Sequence, residues 1–363
     1  MEESGKIMSS KIIATGSCVP PLCLSNHDLA GWLDTSDEWI RTRTGISTRH
    51  LAAKPERMTD GSVQTRYEGM PLLALAAEAS ERAIAQAEEK GFDRADIDLI
   101  LAATSSPDEL FPVLACRLQE ALHLPHAAAY DMVLACTGFL AALQAADAYI
   151  RSGIYRNILV VGGEVLSRFI NWNDRDTAIL FGDGAGAVIV SADARFGVKA
   201  EDAGSTANGG ADVHARGGIL CSTLHADGSG GDSLFGKAMY WNGRTPAALQ
   251  MDGKAVFTFA VRRVPEVILE TLDKAAKSGT PFEPELYVLH QANYRIIEAI
   301  ARKLKQPIEL FPHNLDRYGN TSAASIPILL DELNRAGKLK EGMPLCLAGF
   351  GAGLSYGAAL LRW

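Results

Sequence analysis

Thirty residues separate Ser106 from Cys136, and thirty separate His290 from Asn320. In the first half, Asp98-Leu-Ile-Leu-Ala-Ala-Thr104 reads as a buried strand that ends in a Ser105-Ser106-Pro107 turn. A helix is predicted from there to about Leu122, and the mostly apolar run 128–135 is a second short strand leading to Cys136. In the second half, Glu285–His290 reads as a strand and Tyr294–Leu304 as a helix. Asn320 stands in Arg317-Tyr-Gly-Asn-Thr-Ser322, at the head of a helix predicted over Ala323–Ala336. Each half then adds a strand ending in glycines, at Gly162-Gly163 and Gly349–Gly353. This shared register predicts a duplicated βαβα unit in an α/β fold. Ligands of open α/β sheets bind beyond the carboxyl ends of the strands, so two halves packed about a pseudo-two-fold axis are expected to bring Cys136, His290 and Asn320 together.

Those three residue types have a chemistry in common. Cys136 precedes a nearly all-apolar helix over residues 137–151, and the unpaired N–H groups at a helix start favour a thiolate and lower a thiol pKa. A thiol, an imidazole and an amide donor suit acyl transfer through a thioester, with N–H groups stabilising the oxyanion. Taken singly, each has a plainer role: Cys136 as a buried small hydrophobe, His290 as a satisfied core histidine, Asn320 as a helix cap. Trp39, in Asp34-Thr-Ser-Asp-Glu-Trp-Ile40, is followed by Arg41, Arg43 and Arg49. It is either a core tryptophan behind a helix cap or a stacking platform for a nucleotide phosphate.

Composition narrows the function classes. A formal charge of −8 on 363 residues argues against general nucleic-acid binding, and no stretch reaches the ~20 apolar residues of a membrane span. The first ten residues lack the basic start and apolar run of a signal peptide, and six cysteines at irregular spacing suit a reduced compartment, so a cytoplasmic protein is expected. No histidine has metal-ligand spacing: His214 and His225 lie in a stretch with eight glycines between Gly204 and Gly231, and His123 and His126 flank a proline. The glycines of Ala178–Val190 lack the strand, G-x-G-x-x-G and helix of a dinucleotide site and predict close backbone packing. Residues 52–69 read as a loop and Leu72–Glu88 as a helix. The expected division is an N-terminal half over 1–200 carrying Cys136 and a C-terminal half over 201–363 carrying His290 and Asn320, with a glycine-rich insertion at about 200–231.

Six ordered motifs carry a resemblance over nearly the whole chain: Asp34–Ile40, Arg43-Thr-Gly-Ile46, Ala135-Cys-Thr-Gly-Phe139, Phe181-Gly-Asp-Gly-Ala-Gly186, His290-Gln-Ala-Asn293 and Gly319-Asn-Thr-Ser322. The sequence resembles the thiolase-fold β-ketoacyl-acyl-carrier-protein synthase III enzymes. The resemblance implies a thiolase-like fold in five α-β-α-β-α layers and a ping-pong Claisen condensation. In that reaction Cys136 takes an acyl group from a coenzyme A thioester. Malonyl-acyl-carrier protein then loses CO2 and attacks as an enolate, which His290 and Asn320 stabilise. The backbone N–H groups of Cys136 and of Ala352 would form the oxyanion hole. The same resemblance assigns Trp39 and Arg175 to an adenine sandwich, Arg43 to the same nucleotide, and Asn293 to the pantetheine tunnel. Arg295, Arg302 and Lys303 become a basic docking face for an acidic carrier protein. Phe111 would reach across a homodimer into the partner's acyl pocket. No metal or redox cofactor is implied; coenzyme A enters as substrate.

Two departures bear on the substrate. Family members usually carry glycine at 352 and tryptophan at 356, where this chain has Ala352 and Tyr356, and the 52–70 and 200–218 segments exceed the usual length. Three other readings stand beside condensation: an acyltransferase passing the Cys136 acyl group to an oxygen, nitrogen or sulfur acceptor, a type III polyketide synthase, and a non-catalytic acyl-binding scaffold. Retained His290 and Asn320 favour decarboxylative condensation, and Asp34–Ile40 points away from the polyketide synthase.

Overall fold

A computed structural model describes residues 9–65, 69–192, 217–236 and 248–363. Its two central sheets repeat one pattern. The first is built from β1 (Lys11–Cys18), β2 (Leu99–Ala103), β3 (Ala128–Met132), β4 (Asn157–Glu164) and β5 (Gly184–Ser191), in the order β1-β5-β4-β2-β3. The second comprises β6 (Gly218–Ala226), β7 (Leu286–Leu289), β8 (Pro344–Gly351) and β9 (Ser355–Arg362), in the order β6-β9-β8-β7. In both, an antiparallel pair joins a parallel pair: β1/β5/β4 then β4/β2, and β6/β9/β8 then β8/β7. The duplication expected from the thirty-residue register is therefore present in four strands of each sheet, whereas β3, the strand leading to Cys136, has no counterpart among the described residues: Asn320 follows a helical turn, Leu315–Tyr318.

The layers follow from which helices are apolar on one side and which on all sides. Before β2 comes α1 (Asp37–Thr44) and then α2 (Leu72–Glu88), which shows one buried stripe and packs with α3 (Leu114–Ala121) on the outer face of the first sheet. In α4 (Gly138–Ser152), residues Gly138 to Leu143 are all buried, because this helix lies between the two sheets. Next come α5 (Gly253–Lys277) and α6 (Tyr294–Leu304), which cover the outer face of the second sheet, while α7 (Ser325–Arg335) joins α4 in the middle layer. The result is five layers, α-β-α-β-α. Asp331 of α7 accepts hydrogen bonds from Thr15 at 2.9 Å and Ser17 at 2.5 Å on β1, tying the second half to the first sheet.

The glycine-rich stretch around 182–186 does pack closely. A Cβ on Gly186 would lie 2.7 Å from the Ile328 nitrogen and 2.8 Å from the Pro327 carbonyl carbon, so β5 touches α7 backbone to backbone. Gly186→Ala is expected to lower stability by about 1–3 kcal/mol, read as a fall in the thermal unfolding midpoint.

Some local expectations are corrected. The helix expected to begin after Pro107 begins only at Leu114, where the Asp131 carboxylate accepts from the Leu114 and Ala115 N–H groups at 3.0 and 2.8 Å. Residues 52–69, read as a loop, carry a short hairpin of Pro55–Arg57 with Val63–Thr65. The expected boundary at 200–201 and His214 lie outside the described residues, and the described part of the expected glycine-rich insertion at about 200–231 is largely β6, a strand of the second sheet paired with β9. Among the described residues, no helix is long and apolar enough to cross a membrane.

Candidate active site

Cys136 sits in a 3-10 turn, Ala135–Thr137, between β3 and α4. Ala135 has φ +44°, a left-handed conformation uncommon for a residue with a side chain, and it turns the chain so that the next residue faces inward. Thr137 fastens the turn to β9 through a 2.6 Å contact between its hydroxyl and that of Ser355. Here one expectation is corrected: burial outweighs the helix start and pushes the Cys136 thiol up to about 12. At rest its side chain is a thiol.

His290 follows β7 and is 3% exposed. Its N–H donates to the Ala348 carbonyl at 2.8 Å, and its ring meets Phe350 edge to face at 5.4 Å. Ring Nδ1 lies 2.7 Å from the Ser325 hydroxyl, which leaves Nε2 for the cavity. Burial lowers its pKa to about 3, so the imidazole is neutral at physiological pH. Asn320 is anchored between strands: its N–H donates to Leu180, and its carbonyl accepts from Gly182. Because the Ser322 N–H, which can only donate, meets the Asn320 side chain at 2.9 Å, that atom is Oδ1 and the amide NH2 is the free end. Asn320 is not the N-cap of the following helical turn, which is Thr321; one end of its side chain is held by the Ser322 N–H and the other is left free.

All three residues line one cavity of about 550 Å³. The closing turn after β8 brings its backbone alongside Cys136: a Cβ on Gly351 would fall 2.9 Å from the Cys136 nitrogen, so only glycine allows that approach. Ala352 lines the same cavity, and its φ is not in the left-handed region, so alanine serves where glycine is usual.

At the mouth stand Trp39, Arg43, Asn293 and Arg295. The guanidinium carbons of Arg43 and Arg175 lie 4.5 and 4.6 Å from the Trp39 ring centroid, and Arg175 donates to the Asp34 carbonyl at 3.0 Å. No third planar group fits between Trp39 and Arg175 at that spacing, so an adenine entering there has to displace Arg175. Asn293 caps α6 through the Arg295 N–H and donates to the Arg43 carbonyl at 3.1 Å, joining the two sides of the mouth. Arg49 departs from the sequence reading. It is fully buried and donates to Leu24, Asn26 and Ile179, so it orders the floor beneath Trp39 and cannot grip a ligand.

Arg302 and Lys303 lie outside the cavity, exposed on the last turn of α6, whose other face buries Ile296, Ile297 and Ile300. Phe111 also lies outside it. It is 79% exposed beside Leu110 at 57%, and Val133, on the segment leading to Cys136, is 75% exposed.

Several lining residues were not anticipated. Leu166, Leu234, Leu249, Met251, Val256 and Phe257 form an apolar wall. Periodicity could have found α5, which carries two of them. Ser322 closes the motif Gly319-Asn-Thr-Ser322, but nothing in the sequence marked Ser325 or Glu164. Glu164 ends β4, is wholly buried, and accepts from the Ser105 N–H and from the hydroxyls of Thr104, Ser106 and Ser322. Burial raises its pKa to about 7 from an ordinary 4.5. A carboxyl shifted upward by folding contributes stability that is full below the unfolded value and lost as pH climbs through 4.5 to 7. Thermal or urea unfolding of Glu164→Gln beside the wild type should show the gap moving in the variant's favour by on the order of 3 kcal/mol between about pH 4 and about pH 8.

Two sheets of repeated topology enclosing a middle helical layer, with cysteine, histidine and asparagine converging at the strand ends, define a thiolase-fold condensing enzyme. Residues 130–209 match the sequence model described as 3-oxoacyl-[acyl-carrier-protein (ACP)] synthase III, and residues 275–363 match that of its C-terminal part. The chain is 41% identical to beta-ketoacyl-[acyl-carrier-protein] synthase III 1 of Bacillus anthracis over 98% of this chain and 99% of that one. It is 43% identical to the synthase III of Synechococcus elongatus, over 97% and 96%. The crystal structure of 3-oxoacyl-[acyl-carrier-protein] synthase III from Aquifex aeolicus VF5 superposes with a TM-score of 0.80 at 38% identity, covering 98% of this chain and all of that one. This chain belongs to the 3-oxoacyl-[acyl-carrier-protein] synthase III family, transferases that form a carbon–carbon bond.

Proposed function

We propose that the protein condenses an acyl-coenzyme A starter with malonyl-acyl-carrier protein, through an acyl-Cys136 intermediate, to give a β-ketoacyl thioester. The observation that carries this reading is the convergence of Cys136, His290 and Asn320 on one cavity whose mouth bears Trp39 and its two arginines. Coenzyme A would dock by displacing Arg175 from Trp39. Its thioester would then reach Cys136, with the Cys136 and Ala352 N–H groups receiving the oxyanion. After the free coenzyme leaves, the malonyl thioester carbonyl would lie against Nε2 of His290 and the NH2 of Asn320. Both are neutral donors, with His290 donating from Nε2 when Ser325 donates to Nδ1. They hold the enolate formed as CO2 departs, and its carbon attacks the acyl-Cys136 carbonyl.

The chemistry calls for no metal or redox cofactor. Arg295, Arg302 and Lys303 are exposed on one helix and have no ion pair among the described residues, which suits docking of an acidic carrier protein. Exposed Phe111, Leu110 and Val133 suit burial against a second copy in a homodimer. Six unpaired cysteines suit a cytoplasmic setting. Retention of both enolate donors weighs against acyl transfer to an oxygen, nitrogen or sulfur acceptor and against a non-catalytic scaffold.

The test is a panel of acyl-coenzyme A thioesters followed by intact-mass detection of the acyl-enzyme, then malonyl-acyl-carrier protein with assays for CO2 and a β-ketoacyl product. Labelling of Cys136 followed by both products is expected. Acylation without decarboxylation would overturn the condensation reading.

A further inference from the structure

The first joint of the repeat, Thr104-Ser105-Ser106, wraps a carboxyl group that none of the roles above uses. Glu164 lies behind the cavity wall, and two of its partners, Ser105 and Ser322, form that wall. The Ser106 hydroxyl donates to Oε2 at 2.5 Å while accepting the Val165 N–H at 2.8 Å; the Ser322 hydroxyl reaches Oε1 at 3.2 Å. Ser322 adopts φ +50°, a conformation uncommon for serine, and lines the cavity with Cys136; burial raises the Cys136 thiol pKa and the Ser322 hydroxyl works to lower it, while the Ser322 N–H holds Asn320. One strained residue thus bonds the amide donor and the buried carboxyl and shares the cavity wall with Cys136. No ion pair among the described residues compensates Glu164, an arrangement costly for a purely structural carboxylate.

We propose that Glu164 is a positioning residue that receives the Cys136 proton through the Ser322 hydroxyl during acylation. As Sγ bonds to the thioester carbonyl carbon, the thiol proton passes to Ser322 Oγ, and the Ser322 proton passes to Glu164 Oε1. Collapse of the tetrahedral adduct breaks the bond to the coenzyme A sulfur, and that thiolate takes the proton back along the same path. Nothing is oxidised or reduced. The groups facing Glu164 are the hydroxyls of Thr104, Ser106 and Ser322, the Ser105 N–H and the Cys136 thiol. His290, elsewhere on the cavity wall, stays neutral down to about 3 and contributes no inflection near neutrality.

This inference rests on Cys136 being the acyl acceptor. Its test uses iodoacetamide, which reports thiol reactivity without a substrate, alongside self-acylation by acetyl-, isobutyryl- and octanoyl-coenzyme A, each from about pH 5 to 9. In the wild type, Cys136 reactivity should rise through a midpoint near 7. Glu164→Gln should lose that inflection and acylate at least tenfold more slowly at saturating thioester, with half-saturation unchanged. Ser322→Gly guards against a folding failure, since glycine accepts φ +50° without strain while removing the hydroxyl; it should behave likewise. An inflection that persists in either folded variant overturns the relay and leaves the condensation reading intact. A wild type whose Cys136 takes iodoacetamide but none of the three thioesters, nor any other acyl-coenzyme A, overturns the acyl-acceptor reading instead.

Discussion

Cys136→Ala will abolish the acyl-enzyme and lower β-ketoacyl product formation at least about 10⁴-fold, the scale seen when a covalent nucleophile is removed. Cys136 is held in the cavity by the left-handed turn at Ala135 and the Thr137–Ser355 contact, and the remaining cysteines do not line that cavity. Alanine removes the sulfur with little change in volume, so the fold should survive, as an unchanged unfolding midpoint would show. Intact mass after incubation with acyl-coenzyme A is the direct readout. Label retained by the variant would dismiss Cys136 as nucleophile, and label lost with product still forming would dismiss the covalent pathway.

Removing the enolate donors will separate the two half-reactions. Asn320→Ala and His290→Ala are each expected to slow CO2 release from malonyl-acyl-carrier protein about 10²–10³-fold, as when one oxyanion-hole donor is lost. Acylation of Cys136 should change far less, because the donors proposed for the oxyanion of that step are the backbone N–H groups of Cys136 and Ala352, which neither substitution removes. Of the two, Asn320→Ala also frees the Ser322 N–H that Oδ1 now accepts, so some loss of stability will accompany it. Asn320→Asp keeps that acceptor while losing the NH2 donor, and it should reproduce the decarboxylation defect with less destabilisation. Equal losses in both half-reactions would show that these residues shape the cavity without serving the enolate.

Since His290 is neutral down to about 3, the Asn320→Ala defect should not be relieved by raising or lowering pH across the physiological range. A pH-dependent recovery would mean that an imidazolium takes part.

The strands and helices most legible in the sequence were those with an unbroken apolar period: α2 spans Leu72–Glu88 and α6 spans Tyr294–Leu304, as read from the residues. The long helix α5 and the strand β9 went unread, although α5 supplies part of the cavity wall. Arg49 illustrates the limit at the site. As one of three nearby arginines it looked like its neighbours, and only the packing of Leu24, Asn26 and Ile179 around it shows that it is structural.

By itself the sequence determined the duplicated plan and the convergence of Cys136, His290 and Asn320 on one cavity, because register and motif spacing are properties of chain order. Only the tertiary structure decided the electrostatic state of Cys136, His290 and Glu164. How far a thiol, an imidazole and a carboxyl move from their solution pKa values depends on how completely water is excluded, and on which hydroxyl or N–H replaces it. Those replacements come from residues far apart in the chain. Ser322 meets Glu164 across 158 positions, and Thr137 meets Ser355 across 218. No local pattern records such pairings; they exist only once the two halves have packed.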